Sequence, residues 1–466
     1  MLRDIVMKEI LDIIHSPKFV FTFLLCTVLI LLSVYTGIDN YRSELREYNA
    51  AVVLNRKNLE NQQNYTTLAG IGTKINKQPT VLSAVTTGIQ KAVGRQATVN
   101  IAYDPSLVDS KYDSNPVLAV FGELDLTLIV RVVLSLLAIL FTYDAISGER
   151  ERGTLKLSLS NRIPRDRMIL GKALGGLASL LVPLVIPFVI GLIMLMLYPD
   201  ISFTGDEWLR IGFIFLLFLL YLSLFFSLGL MVSSFTRRSS SSLFILLFAW
   251  VVFVFVVPKT AVILAGQINP IPSVHEVTAQ KEAFLQEIQG SARQEVLDWR
   301  GENPSDNTPE YQERFRAFLE DLQQRATSSI DERNAGLEVD YQAKRRKQQT
   351  LALYLSRLSP ASALTVGAEN LGLTGVREHE RFLNSIKQYK PVFTKWANTK
   401  MMQSLDLGNT GEQEKPDISD MPRHEFEPEK LSESLAAALP DYLVMALMTI
   451  VFFMAAYVSF LRYDVR

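Results

Sequence analysis

Long apolar runs recur along the chain and define its architecture. The first, from Phe19 to Gly37, has nineteen residues without a charged side chain. As a helix it reaches about 28 Å, close to the hydrocarbon thickness of a bilayer. Five further runs cover Leu124 to Tyr143, Leu174 to Tyr198, Ile211 to Phe235, Ser242 to Leu264 and Leu439 to Leu461. The pattern predicts an all-α polytopic membrane protein with six transmembrane helices.

The distribution of Lys and Arg predicts the orientation of the spans, because basic residues in short loops resist translocation. They concentrate in residues 144–173, between the second and third spans, and at Arg237 and Arg238, between the fourth and fifth. The short loop between the third and fourth spans is mainly acidic, with Arg210 as its basic residue. We therefore expect a multi-pass protein of the cytoplasmic (inner) membrane with both termini inside and residues 462–466 as a cytoplasmic tail.

Two segments, residues 38–123 and 265–438, are expected outside the membrane, and segments of this length need structure of their own. Apolar residues at helical spacing predict that the first continues span 1 as an amphipathic helix; these are Tyr41, Leu45, Tyr48, Val52 and Leu59. A near-heptad stripe predicts a long helix packed on a partner helix in the second; its members are Tyr311, Phe315, Phe318, Leu322, Ile330, Leu337 and Tyr341. Both external regions are thus expected to be mainly helical, with a loop at residues 408–416.

Composition argues against several classes of function. The chain has 47 Lys and Arg against 48 Asp and Glu, so its bulk charge gives no indication of nucleic acid binding. Cys26 is the single cysteine, which excludes an intramolecular disulfide or a multi-cysteine metal site. The four histidines lack metal-ligand spacing. We therefore expect no metal, no cofactor and no catalytic residue.

The segment after the second span has a dense group of charged residues. Its central residues are Gly148, Glu149, Arg150, Glu151, Arg152, Gly153 and Thr154. The glycine spacing is that of a phosphate loop, but Thr154 stands where that loop requires Lys and no strand precedes it, so we reject nucleotide binding here. Two interpretations remain: a short helix along the membrane face that offers its charges to a protein partner, or an ordinary basic loop. The second does not explain Glu149 and Glu151 set between two glycines.

Arg131 lies inside the second predicted span, about 10 Å from its outer end at helical rise. An intramembrane charge is expensive, which favours a role in a substrate pathway or an ion pair. At this depth the side chain can also extend to the outer interface, so both interpretations stay open. Pro183, Pro187 and Pro258 predict kinks in the third and fifth spans, with either a cavity or simple packing as the consequence.

The chain resembles the ABC-2 type permeases, the membrane subunits of ATP-binding-cassette exporters. The resemblance rests on residues 148–155, on Leu159-Ser160-Asn161 followed by Pro164-Arg165, and on Ile169-Leu170-Gly171-Lys172. Three further stretches resemble a subgroup with two large external insertions: residues 357–362, 369–371 and 460–466.

This resemblance implies a subunit of six helices, dimerised with a second permease copy or paralogue above a pair of cytoplasmic ATP-binding subunits. Residues 144–173 would contain the coupling helix, and residues 148–154 would dock to the ATPase. Five of them would lie in its cleft, namely Glu149, Arg150, Glu151, Gly153 and Thr154. Residues 1–18 would form the interfacial elbow helix of such permeases. The helical spacing of their apolar side chains independently indicates an amphipathic helix lying on the membrane.

The leading hypothesis is therefore a permease in the lipid bilayer that moves an unidentified substrate outward, with ATP hydrolysed by a separate subunit. The external regions are larger than in the best-known exporters of the family, so lipid or glycan export is not carried over. They motivate a second hypothesis, in which ATPase-driven motion is conveyed to an external protein partner without bulk transport. A membrane-embedded enzyme is disfavoured, because the spans contain no His or Cys-His arrangement and no deep carboxylate pair.

Overall fold

The computed structural model describes residues 2–90, 93–101, 105, 107–108, 125–156, 164–304, 308–406 and 415–462. The chain forms two compact units, one of residues 1–255 with 359–466 and one of residues 256–358. The predicted loop at residues 408–416 falls mostly outside the described residues. So do the Leu159-Ser160-Asn161 motif and most of the predicted tail.

Most of the described residues are helical, and three short strands follow the third helix. The first unit begins with α1 (Leu2–Ile14), α2 (Pro17–Glu60), α3 (Tyr65–Ile71), β1 (Thr73–Asn76), β2 (Gln96–Val99) and β3 (Leu107–Val108). It continues with α4, which consists of Leu126–Leu128, the π-helical stretch Ile129–Leu134, and Ser135–Thr142. The next helices are α5 (Ser147–Glu151), α6 (Arg165–Met196), α7 (Gly205–Phe235) and α8 (Ser239–Val251). After a second π-helical stretch, Val252–Val256, come α9 (Val257–Ile268), α10 (Val274–Glu302), α11 (Pro309–Ser356), α12 (Pro360–Leu371), α13 (Val376–Asp406) and α14 (Leu431–Leu461).

Within the described residues, six helical stretches are long and apolar enough to cross a membrane. They are α2, α4 with α5, α6, α7, α8 with α9, and α14. The predicted fold class, an all-α polytopic membrane protein with six transmembrane helices, is therefore confirmed. The prolines at 183 and 187 lie within the continuous helix α6.

The first span continues well beyond the length needed to cross a bilayer, as its apolar spacing predicts. Helix α2 has 44 residues, which correspond to about 66 Å at helical rise. Its last part packs on β1, an edge strand of a small antiparallel sheet in the order β1-β2-β3. We call this region, with α3 and α13, the sheet lobe. Its core contains Leu59, Leu68, Val99, Phe382 and Phe393.

The short helix α12 packs against the membrane-crossing helices α7 and α14. Gly367 permits this close contact, since a Cβ there would lie 2.9 Å from Leu217 Cδ2 and 3.5 Å from Asp441 Cβ. Part of the second predicted external segment thus belongs to the helix bundle and contributes side chains to its interior.

The second unit is an assembly of α9, α10 and α11. Helix α11 has 48 residues and packs on both α9 and α10. Gln348 donates a hydrogen bond to the carbonyl oxygen of Asn269 at 2.8 Å, and the ring of Trp299 stacks on Phe318 with centroids 5.3 Å apart. The prediction of a long helix packed on a partner helix is confirmed.

Within the sheet lobe, a buried cluster of charges joins the end of β1 to α13. Lys77 Nζ lies 4.0 Å from Glu378 Oε1, with the two side chains 10% and 4% exposed. Beside this pair, Arg95 Nη1 lies 2.6 Å from Glu44 Oε2. Burial lowers the pKa of Lys77 from 10.5 to about 8; Glu378 opposes this shift and Arg95 adds to it.

We expect the stability of the wild type relative to Lys77→Met to rise as the pH increases from about 8 to 10.5. In this window the unfolded chain still holds the Lys77 proton and the folded protein has released it, so stability increases with pH. Thermal unfolding of both proteins across the window measures the effect. Lys74→Met, at an exposed lysine of β1 three positions before Lys77, is the control. An equal pH trend relative to both variants would contradict the assignment to Lys77.

Candidate functional site

The turn after α4 is held by a hydroxyl group from α7. Ser233 Oγ accepts hydrogen bonds from the backbone N–H groups of Ile146 and Ser147, both at 3.0 Å. The first N–H groups of a helix have no partner within that helix and need such an acceptor. Ser147 and Gly148 are buried. Helix α5 therefore begins against the bundle and not in solvent.

Arg150 and Glu151 hold the turn that joins α7 to α8. Arg150 donates to the carbonyl oxygens of Thr236 at 2.9 Å and Ser234 at 3.1 Å, where the C-terminus of α7 favours a cation. Glu151 Oε2 accepts from the backbone N–H of Ser239 at 3.1 Å and from its hydroxyl at 2.9 Å, where the N-terminus of α8 favours an anion. Through these two side chains, helix α5 contacts both the C-terminus of α7 and the N-terminus of α8.

Lys172 of α6 is the centre of a buried ion triad. Its Nζ lies 2.7 Å from Glu149 Oε1 of α5 and 2.9 Å from Glu9 Oε1 of α1. The Lys172 side chain is 4% exposed, and the carboxylate side chains of Glu149 and Glu9 are 20% and 17% exposed. Gly175, one turn further along α6, lets α1 approach, since a Cβ there would lie 2.8 Å from that of Glu9. The triad fixes α5 to α6 and α1.

Arg152, Gly153 and Thr154 form an exposed rim at the end of the segment. Gly153 has a φ of +76°, a left-handed conformation that glycine adopts without strain. Among the described residues other than its chain neighbours, no heavy atom lies within 4 Å of the position of its Cβ. The backbone turn therefore favours glycine at this position, and the rim formed by these three residues is exposed.

The segment combines internal ion pairs with an outward-facing rim. Glu149, Arg150 and Glu151 each contact a different helix, namely α6, α7 and α8. Within the described residues, no three His, Cys, Asp or Glu side chains come together as metal ligands. Ion pairs and helix caps thus connect α5 to several span ends at once.

Arg131 lies away from this segment, on the π-helical stretch of α4. Its Nη1 donates to Thr365 Oγ1 of α12 at 3.2 Å, and its backbone carbonyl oxygen accepts from the hydroxyl of Tyr221 at 2.8 Å. Tyr221 is near the midpoint of α7. The structure therefore brings residues 148–154 together at one end of the bundle and places Arg131 in its interior.

Arg210, near the N-terminus of α7, forms a second group of polar contacts between helix ends. Its side chain is 1% exposed. It donates to Asp206 Oδ2 at 2.7 Å, to the carbonyl oxygens of Leu371 at 3.1 Å and Glu429 at 2.6 Å, and to Ser434 Oγ at 3.0 Å. These acceptors come from α7, the end of α12, the chain before α14, and α14 itself. One guanidinium thus holds the helix ends of this part of the bundle together.

Sequence reasoning did not assign roles to Ser233, Lys172 or Arg210. Lys172 entered only as part of a motif, and Arg210 only as a basic residue of an acidic loop. A signal for both existed in their position at the border of an apolar run, where a charge requires a partner. Ser233 had no signal, because a serine in a span is common and its acceptor role depends on the neighbouring helix.

The six membrane-crossing stretches define a polytopic membrane protein. Its charged segment between the second and third spans, helix α5, is packed against the helix bundle. The family model of the ABC-2 family transporter proteins matches residues 3–465, and the chain belongs to this family. It is therefore a membrane permease component of an ABC transporter, as the resemblance indicated. A search of curated proteins finds no match to the chain.

Proposed function

We propose that the chain is the permease subunit of an exporter driven by a separate cytoplasmic ATP-binding subunit. The observation that carries the proposal is the attachment of α5. Contacts of Glu149, Arg150, Glu151 and Ser233 join it to the neighbouring helices, while the rim remains exposed. A segment with this construction is suited to receive motion from a partner and deliver it to the spans.

In this mechanism the rim meets the ATPase and the charges behind it convey the motion. Closure of the ATP-binding subunits displaces residues 152–154, and the polar contacts of Glu149 and Glu151 carry the displacement to α6 and α8. Because packed helices and buried ion pairs move between discrete arrangements, a small shift at the rim can switch the bundle. The permease makes no covalent change to its substrate.

The proposal includes an orientation and a second permease. The end of the bundle at α5 is cytoplasmic, in agreement with the basic residues around it. Phe244 and Phe248 of α8 are both 74% exposed on the single chain, so they face lipid or the second permease copy. Cys26 is buried, which allows a cysteine introduced at Thr154 to report the side of the membrane through a membrane-impermeant thiol reagent.

Affinity purification from the native host tests the ATPase partnership. We expect the wild type to recover an ATP-binding subunit and the rim variant Arg152→Glu with Thr154→Trp to recover at least about tenfold less, because about 1.4 kcal/mol of binding free energy corresponds to a factor of ten. Unchanged thermal unfolding of the rim variant would show that its fold is retained.

Lys8→Glu is the matched control for this experiment. Lys8 is 66% exposed on α1, where it lies 3.9 Å from Asp12, and its replacement should leave the recovery unchanged. Absence of any ATPase with the wild type would reject the exporter. Equal recovery with the rim variant would reject the docking role of residues 152–154.

A second candidate function is the conveyance of motion to an external protein partner without bulk transport. It is favoured by the length of α11, whose 48 residues correspond to about 72 Å at helical rise. Sealed vesicles that contain the complex distinguish the two functions. Export requires ATP-dependent movement of a solute or lipid across the bilayer, whereas mechanotransmission requires hydrolysis without net movement.

A further inference from the structure

Arg131 carries a charge inside the helix bundle without an ionic partner in the described part of the chain. Its Nη1 donates one hydrogen bond, to the neutral hydroxyl of Thr365 at 3.2 Å. Its Nε is buried and has no acceptor among the described residues. No Asp or Glu of these residues lies within 4.0 Å of the guanidinium. Among the described residues, the guanidinium thus contacts a neutral hydroxyl group and no carboxylate.

A charge in this position requires compensation. An arginine in the interior of a membrane is costly unless it is paired or reaches water, and one neutral hydroxyl does not replace a counter-ion. Glu369 of α12 is close enough to sense the charge of Arg131, yet it remains beyond ion-pair distance. An anion that approached the guanidinium would supply the missing partner.

The local backbone supports a role in binding. Residues Ile129–Leu134 of α4 are π-helical, and π-helical turns are often found at functional sites. Trp250 Nε1 donates to Ser135 Oγ at 2.8 Å, one helical turn after Arg131. This contact and the Tyr221 hydrogen bond hold the turn from two neighbouring helices.

The donors of Arg131 determine the chemistry of the ligand. A guanidinium binds phosphate or carboxylate oxygens through two parallel N–H groups. Nη1 donates to Thr365, the buried Nε has no acceptor among the described residues, and Nη2 forms no hydrogen bond with them. This pair of donors on one edge of the guanidinium matches an oxyanion.

We propose that Arg131 binds the anionic head group, a phosphate or a carboxylate, of the substrate that the permease moves. The inference deepens the proposed export function, since it assigns a substrate class to the place where Arg131 contacts α7 and α12. Ile129, Val130 and Leu134 border Arg131 and are buried and apolar. A lipid-like anion and a small free anion would use the same guanidinium, and the test separates these two sources.

Thermal unfolding of the purified full chain in nanodiscs tests the proposal with three probes: monododecyl phosphate, inorganic phosphate and dodecyltrimethylammonium. We expect saturating monododecyl phosphate to raise the Tm of the wild type by about 3 °C. Dodecyltrimethylammonium, with the same alkyl chain and opposite charge, should give no rise. An equal rise with inorganic phosphate would support a small anion as the ligand, and its absence would support a lipid-like anion.

The matched variants are Arg131→Gln and Arg42→Gln. Arg42 is 43% exposed and pairs with Asp200 at 3.0 Å, so its replacement should retain the response to monododecyl phosphate. Arg131→Gln should lose the response while its ligand-free Tm stays equal to or above that of the wild type, because the substitution removes a partly buried charge that has no ionic contact in the described chain.

Three results would overturn the proposal: a full response of Arg131→Gln, an equal response of the wild type to the cationic probe, or a ligand-free Tm of Arg131→Gln well below that of the wild type. The last result would identify Arg131 as a structural residue. The measurement uses the permease chain alone, so its failure is distinguishable from a failure to recover an ATPase.

Discussion

Replacement of Lys172 by glutamine is expected to destabilise the protein by about 3–5 kcal/mol and to abolish ATP-driven transport. The substitution removes the cation that lies 2.7 Å from Glu149 and 2.9 Å from Glu9. Two carboxylates would then remain close together and mostly out of water without a partner. Loss of one member of a buried ion pair is strongly destabilising because the remaining charge is uncompensated. The same substitution detaches α5 from α6, so motion of the rim would no longer reach that span.

A neutral version of the triad separates stability from coupling. Glu9→Gln, Glu149→Gln and Lys172→Gln together leave no buried charge in the triad, and we expect this triple variant to recover most of the lost stability. Thermal unfolding of the purified chain and the ATPase rate of the reconstituted complex are the two measurements. Lys8→Gln, at an exposed lysine of α1, should change neither. A stable Lys172→Gln single variant with normal coupling would contradict the role of the triad.

Replacement of Arg210 by glutamine is expected to destabilise the protein by about 3–5 kcal/mol as well, because it leaves several buried acceptors unsatisfied. The guanidinium donates to the carbonyl oxygens of Leu371 and Glu429 and to the hydroxyl of Ser434. Without it, the end of α12 and the start of α14 lose their common contact with α7. We expect faster hydrogen exchange at these helix ends and a lower Tm.

Arg42→Gln provides the matched control for Arg210→Gln. Both arginines pair with an aspartate, but Arg42 is 43% exposed and its partner Asp200 is 52% exposed, whereas Arg210 is 1% exposed. Exposed ion pairs contribute about 0–1 kcal/mol, so Arg42→Gln should leave the Tm nearly unchanged. A similar decrease in Tm for both variants would show that the contacts of Arg210 stabilise the protein no more than a surface ion pair does.

Much of the helical framework was predictable because the length of an apolar run and the spacing of apolar residues are local features of the sequence. An uncharged run of nineteen residues is long enough to cross a membrane as a helix, and the stripe from Tyr41 to Leu59 has the spacing that continues it. The near-heptad stripe of α11 predicted a partner helix for the same reason. In contrast, the small sheet β1-β2-β3 has strands of four residues or fewer, too short for a periodic signal.

The candidate site was only partly predictable. The dense charges of residues 148–154 identified the segment, but the sequence left open whether it forms a short helix that offers its charges to a partner or an ordinary basic loop. The structure turns Glu149 onto Lys172 and Glu151 onto Ser239. These partners are 23 and 88 positions away, and no local pattern encodes such a contact.

The sequence by itself determined the membrane-crossing class and the position of the charged segment between two spans, since both follow from hydrophobic run length and local composition. It also located Arg131 within a span. Tertiary structure decided which charges are paired, that α12 packs on α7 and α14, and that Arg131 lacks an ionic partner in the described chain. The physical reason is that the cost of a buried charge depends on the groups within a few ångströms, and packing brings those groups from distant parts of the chain.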